Sequence, residues 1–208
     1  MKSAVLLFFV FGFCHFGLFA QSAVTGEEYA VYASLLKIID RENLKEYKVR
    51  YSFVIQDKTL AAGFVNNFNS LRMKGLAEDF KLKNQNAGQL KRLIPVDLRY
   101  EIVADLEIDE LLKTGRNELA KIEADYKERN LGIGFGASEI VWEPFYQKYP
   151  KTNGYYRFSR VGFSASRQFA LVELERVSAG SGDSAQYVLQ KAKGDWRFYA
   201  SAGNHWVE

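Results

Sequence analysis

The chain has 208 residues, 48% of them apolar, and sets 28 Lys and Arg against 25 Asp and Glu for a net charge of +3. That length can bury a full core without covalent staples, and the small basic excess is spread along the chain, which speaks against nucleic acid or an anionic membrane surface as partner. One cysteine and two histidines leave too little for a disulfide framework, a thiolate metal centre or a histidine cluster, and no cofactor is expected.

Lys2 is followed by an apolar stretch from Ala4 to Ala20 and then by Gln21 and Ser22, the order of a secretory signal peptide. At about 1.5 Å per residue the stretch falls short of a hydrocarbon core of roughly 30 Å, which disfavours a spanning anchor. Cleavage is expected after Ala20, although Leu18 stands where a small residue is usual. Lipid attachment at Cys14 is disfavoured by Phe13, and removal of residues 1–20 takes the cysteine away. Residues 21–208 are then expected to form one soluble domain without a membrane span.

Thr25 and Glu28 have the spacing of a capping box, so a helix should run from there to about Asp40 with Tyr29, Tyr32, Leu35, Leu36 and Ile39 on its inner face. Val49, Tyr51, Phe53 and Ile55 alternate with polar residues as a half-buried strand does. Between Leu60 and Gln89, Phe64, Phe68, Leu71, Leu76 and Phe80 suggest short helices interrupted by Gly63 and Gly75. Leu98 to Ala104, just after Pro95, reads as strand.

From Ile108, the residues Leu112, Leu119, Ile122 and Tyr126 recur at helical spacing, with Glu123 and Lys127 placed to pair. Gly115 should weaken this helix by about 1 kcal/mol and is a point where it can divide in two. Gly132, Gly134 and Gly136 form a turn that lacks the context of a nucleotide loop. A short aromatic helix from Ile140 to Tyr149 should stop at Pro150. Four β segments follow, Tyr155 to Phe163, Gln168 to Val177, Ala185 to Ala192 and Trp196 to Ser201, joined by short turns in an antiparallel meander. The expected fold is α+β, an antiparallel sheet of about five or six strands with helices packed on one face.

Trp142, Phe145, Tyr146, Tyr149-Pro150, Gly154 and Phe158-Ser-Arg-Val-Gly-Phe163 resemble a group of uncharacterised exported bacterial proteins. The similarity continues through Ala170-Leu-Val172, Tyr187-Val-Leu189 and Gly194 with Trp196. It implies an exported bacterial domain and carries no activity with it. Some members have cysteines near the second hairpin, where this chain has Ser178-Ala-Gly-Ser-Gly182. The helix, curved sheet and terminal Gly-x-Trp strand are also similar to the cone-shaped folds related to nuclear transport factor 2, which implies a pocket between helices and sheet but no particular function.

Three constellations are chemically suggestive. Trp142, Phe145, Tyr146, Tyr149, Tyr155, Tyr156 and Phe158 are dense enough to form either core or, where exposed, a stacking platform for a flat ligand. Arg160, Glu173 and Glu175 interrupt apolar strands, and strand parity sets the two glutamates on one face, where they would be solvated, paired with arginine, or an acid–base couple. His205 is a lone candidate base near a chain end, without a Gly-x-Ser-x-Gly nucleophile elbow or clustered metal ligands to serve.

These features favour a non-catalytic exported module, periplasmic or secreted, that binds a small ligand, a glycan or an envelope protein at the edge of the C-terminal sheet. Trp142, Tyr155, Arg160 and Glu173 are its expected contacts. The alternatives are a hydrolase using Glu173 and Glu175, and an envelope assembly protein using the Ile108 to Tyr126 stripe.

Overall fold

The computed structural model describes residues 23–61, 65, 73–129 and 136–207, with side chains as far as Gly203. The leader, Gly63, Phe64, Phe68, Leu71, Gly132, Gly134 and the His205 side chain lie outside the described residues.

Helix α1 (Gly26–Tyr47) begins with the full capping box: Glu28 N donates to Thr25 Oγ1 at 3.3 Å and Thr25 N to Glu28 Oε2 at 2.8 Å. It runs beyond Asp40, since Arg41 to Tyr47 contains neither glycine nor proline, and ends at Lys48 in the left-handed region. The strands are β1 (Phe53–Gln56), β2 (Tyr100–Val103), β3 (Tyr155–Phe158), β4 (Gly162–Phe163), β5 (Phe169–Ser178), β6 (Ser181–Ala192) and β7 (Asp195–Val207). They form one seven-stranded sheet of order β2-β1-β3-β5-β6-β7, with β4 beside β5.

The sheet is mixed, not purely antiparallel as expected from sequence. β1 runs parallel to both β2 and β3, and the remaining pairs are antiparallel. The cause lies in the connections. Between β1 and β2 comes α2 (Leu76–Lys83), and between β2 and β3 come α3 (Asp105–Glu128) and α4 (Ala137–Lys148), crossovers of the length that parallel pairing needs. The C-terminal meander β3-β5-β6-β7 has the expected order, but its first segment breaks into β3 and β4. β6 begins at Ser181 instead of Ala185, so that the expected turn from Ser178 to Asp183 shrinks to Ala179 and Gly180, and β7 continues past Ser201 to Val207.

Helices cover both faces of the sheet, not one. On the first face, Tyr32, Leu35 and Leu36 of α1 pack on Phe53, Ile55, Phe158, Val172 and Leu189. On the second, Leu76 and Phe80 of α2 pack on Phe169, Leu171 and Val188, while Ile108, Trp142 and Phe145 cover Val54 and Val103. β1 begins only at Phe53, leaving Val49 and Tyr51 of the expected strand outside it, and is buried along its whole length instead of half-buried, because layers sit above and below it and strands lie on either side.

Gly115 does not divide α3, which is continuous. It is the point where α4 crosses backbone to backbone: a Cβ there would lie 2.0 Å from Val141 O. Glu123 and Lys127 make no ion pair with a described residue; the pairs at helical spacing along α3 are Glu118–Lys121 and Asp125–Arg129, and Asp105 and Glu107 at its start pair with Lys58 and Lys148. α4 accommodates Pro144 in its interior and stops at Lys148, two residues before Pro150.

Candidate functional site

The structure distributes the sequence-predicted contacts over three places. Trp142 is 5% exposed and stacks on Tyr155, with centroids 5.8 Å apart and planes at 19°, inside the core cluster under α4. Arg160 projects to the opposite face, where it meets Glu28 at the start of α1. Glu173 and Glu175 share one face, as parity requires, between the α2 cluster and the α3–α4 cluster. Ser184 Oγ and Gln186 Nε2 donate to Glu173 at 3.0 and 3.1 Å, and Arg157 Nη1 to Glu175 at 2.8 Å. Only Trp142 and Tyr155 are brought into contact.

A different set of residues converges at the far end of α1. Its inward stripe is apolar through Leu35, Leu36 and Ile39, then continues at the same three- and four-residue spacing with Glu42, Asn43, Glu46 and Tyr47. The inward row of β5 changes in the same way, from Ala170, Val172 and Leu174 to Arg176. Where these polar ends face each other, α1 and the sheet enclose a recess of about 240 Å³. Tyr156, Leu174, Arg176, Asp183 and Tyr187 line its sheet side.

Its polar groups are arranged, not merely present. Arg176 stands opposite Asp183 in the β5–β6 register and donates Nε to Asp183 Oδ1 at 2.7 Å. Burial works against the Arg176 charge, but the Asp183 carboxylate overrides it and holds the guanidinium ionised. Burial pushes the Tyr156 hydroxyl, which donates to Asn153 Oδ1 at 2.8 Å, up to about 12. Burial, then the Glu42 and Asp183 charges, push Tyr187 up to about 12 as well. Tyr47 is raised chiefly by its hydrogen bond to Glu46. All three hydroxyls are thus neutral near pH 7; Tyr156 and Tyr47 already spend their one O–H on Asn153 and Glu46 and can only accept, while Tyr187 has an O–H to donate as well.

Asn43 is 8% exposed, and its buried Nδ2 faces the Tyr156 hydroxyl, favouring that oxygen's charged form, without reaching the length and angle of an ordinary hydrogen bond to any described residue. A larger groove of about 490 Å³ separates α1 from the Asp195–Phe198 end of β7; its cations Lys37, Arg41 and Arg197 are exposed, as are Glu42 and Glu46 of the smaller recess, and what sets it apart is that no orphaned polar atom of a described residue lines it. The polar turn of the α1 stripe at Glu42 and Asn43 is the sequence signal that marks the smaller recess. It is visible only once the helix is extended past Asp40.

Among the described residues no group of three His, Cys, Asp or Glu is placed to hold a metal ion, and no helix is long and apolar enough to cross a membrane. Comparison of the chain with protein-family models, curated proteins and solved structures finds no match.

Proposed function

We propose that this protein is an exported, non-catalytic binding module and that the recess beneath the C-terminal half of α1 takes a small polar ligand. The observation that carries the reading is the Asn43 amide, a donor shut away from solvent at the wall of a polar cavity. A buried donor left unmade costs about 1–3 kcal/mol. An acceptor entering the recess removes that cost. The export reading rests on the order of Lys2, the apolar stretch to Ala20 and the polar pair Gln21-Ser22, with the bacterial periplasm or medium as destination.

A hydrolase built on Glu173 and Glu175 draws less support, because each carboxylate already accepts from neighbouring side chains of the sheet. An assembly role for α3 has Leu119 and Ile122 half-buried along its stripe and Tyr126 exposed at the end.

The test is a thermal-shift screen of the purified protein against sugars, amines, small acids and nucleosides. A ligand at a hundred times its Kd adds about 2.7 kcal/mol, several degrees for a domain of this size. A rise that disappears in Asn43→Leu and Tyr187→Phe supports the recess. A rise undiminished in both variants puts the ligand elsewhere.

A further inference from the structure

Resting on that reading, we propose that the recess selects a hydroxylated amine: an ammonium group carried beside hydroxyl oxygens, as in an amino sugar or an amino alcohol. Three carboxylates line it, Glu42 and Glu46 from α1 and Asp183 from β6, against one guanidinium. Asp183 already neutralises that guanidinium, while neither Glu42 nor Glu46 forms an ion pair with a described residue. The recess also lies at the C-terminal end of α1, where unpaired carbonyls and the helix dipole favour positive charge. The aromatic side chains of Tyr156 and Tyr187 line the same space. Lys45 and Lys48 stand at this helix end without lining the recess, and Lys48 Nζ is turned back to Lys45 O at 2.8 Å.

The hydroxyl half of the argument comes from the donors. Asn43 Nδ2, which faces Tyr156, makes no well-formed hydrogen bond to a described residue, and Arg176 directs only Nε at Asp183, so both have N–H groups to offer to an oxygen in the cavity. A carboxylate would answer those donors but would face Glu42, Glu46 and Asp183. A hydroxyl answers them without that repulsion. The volume of about 240 Å³ suits one sugar ring, since it equals roughly eight waters at about 30 Å³ each.

The experiment is an NMR titration of the purified protein with D-glucosamine, D-glucose, N-acetyl-D-glucosamine, ethanolamine and ethylene glycol. Glucosamine is expected to move the Asn43, Tyr156 and Tyr187 amides and to bind at least about tenfold more tightly than glucose or the N-acetyl sugar, with ethanolamine likewise ahead of ethylene glycol. Glu42→Gln with Glu46→Gln should erase that preference, and added salt should weaken it. Equal affinity for the charged and neutral members of each pair would overturn ammonium selection while leaving a polar recess that binds. Recess amides that stay still with all five probes would overturn hydroxylated amines as the ligand class. Failure of the thermal-shift hits to depend on Asn43 and Tyr187 would remove the recess itself.

Discussion

Glu28, the capping-box glutamate of α1, is also the carboxylate that neutralises Arg160, 132 residues away. Its Oε1 accepts from Arg160 Nε at 2.7 Å and from Val161 N at 3.1 Å, and its Oε2 from Arg160 Nη2 at 2.9 Å and Thr25 N at 2.8 Å. The side chains are 0% and 3% exposed. One buried carboxylate thus closes a helix start and fixes that helix to the bend between β3 and β4. Gly88 leaves room for the pair, since a Cβ there would meet Arg160 Cδ at 2.8 Å.

Removing one partner strands the other's charge in the core. Glu28→Gln or Arg160→Leu should each lower stability by about 3–5 kcal/mol, whereas the double replacement Glu28→Met with Arg160→Met should recover part of that loss, the remainder being the acceptor that Thr25 N and Val161 N lose. Urea unfolding of the three variants measures this, and a double variant no better than the worse single would contradict it.

The same pair sets an acid limit. Burial raises the Glu28 pKa, but the Arg160 guanidinium and the N–H groups of Thr25 and Val161 more than offset it and hold the carboxyl below its ordinary 4.5. Glu27 is also lowered: Arg167 and Lys191 outweigh its burial. A depressed folded pKa means that the unfolded chain binds more protons in acid. The stabilisation is therefore present above the unfolded value and lost as pH falls through the folded one. Thermal midpoints from pH 7 to pH 3 should drop below about pH 4.5 in the wild type, and Arg160→Leu should flatten that limb.

Two helical glycines should respond oppositely to alanine. Gly26 opens α1 with nothing within 4 Å of a new Cβ, so Gly26→Ala should be neutral or stabilise by up to about 1 kcal/mol. Gly115→Ala drives a methyl into the Val141 carbonyl and should destabilise by about 1–3 kcal/mol despite better helix propensity. Equal midpoints for the two variants would mean that α3 and α4 do not approach so closely.

The β6–β7 turn isolates backbone conformation from packing. Lys193 and Gly194 have φ of 53° and 91°, and a Cβ on Gly194 would touch nothing. Gly194→Ala should still cost about 1–2 kcal/mol, the strain of a left-handed residue, and Lys193→Asn should gain a few tenths. Differential scanning calorimetry distinguishes the two directions.

Much of this architecture is legible in local pattern. The Thr25–Glu28 cap, the α3 stripe, the stop near Pro150, the four-segment meander and the shared face of Glu173 and Glu175 each depend on residues a few positions apart. Periodicity encodes such contacts directly. Alternation along Phe53–Gln56 gave no sign of parallel neighbours, because strand order is decided by where α2, α3 and α4 carry the chain.

By itself, then, the sequence determined the helical stripes of α1 and α3 and the run of strands in the C-terminal meander, since backbone hydrogen bonding and side-chain period act within a turn or a pleat, while the extent and two-sided burial of β1 were not legible there. Tertiary structure alone decided that Arg160 belongs to Glu28, that Trp142 is core against Tyr155, and that the polar ends of α1 and β5 meet around Asn43. Burial and the choice of partner for a charge depend on which distant surface arrives opposite it, and no local spacing carries that information.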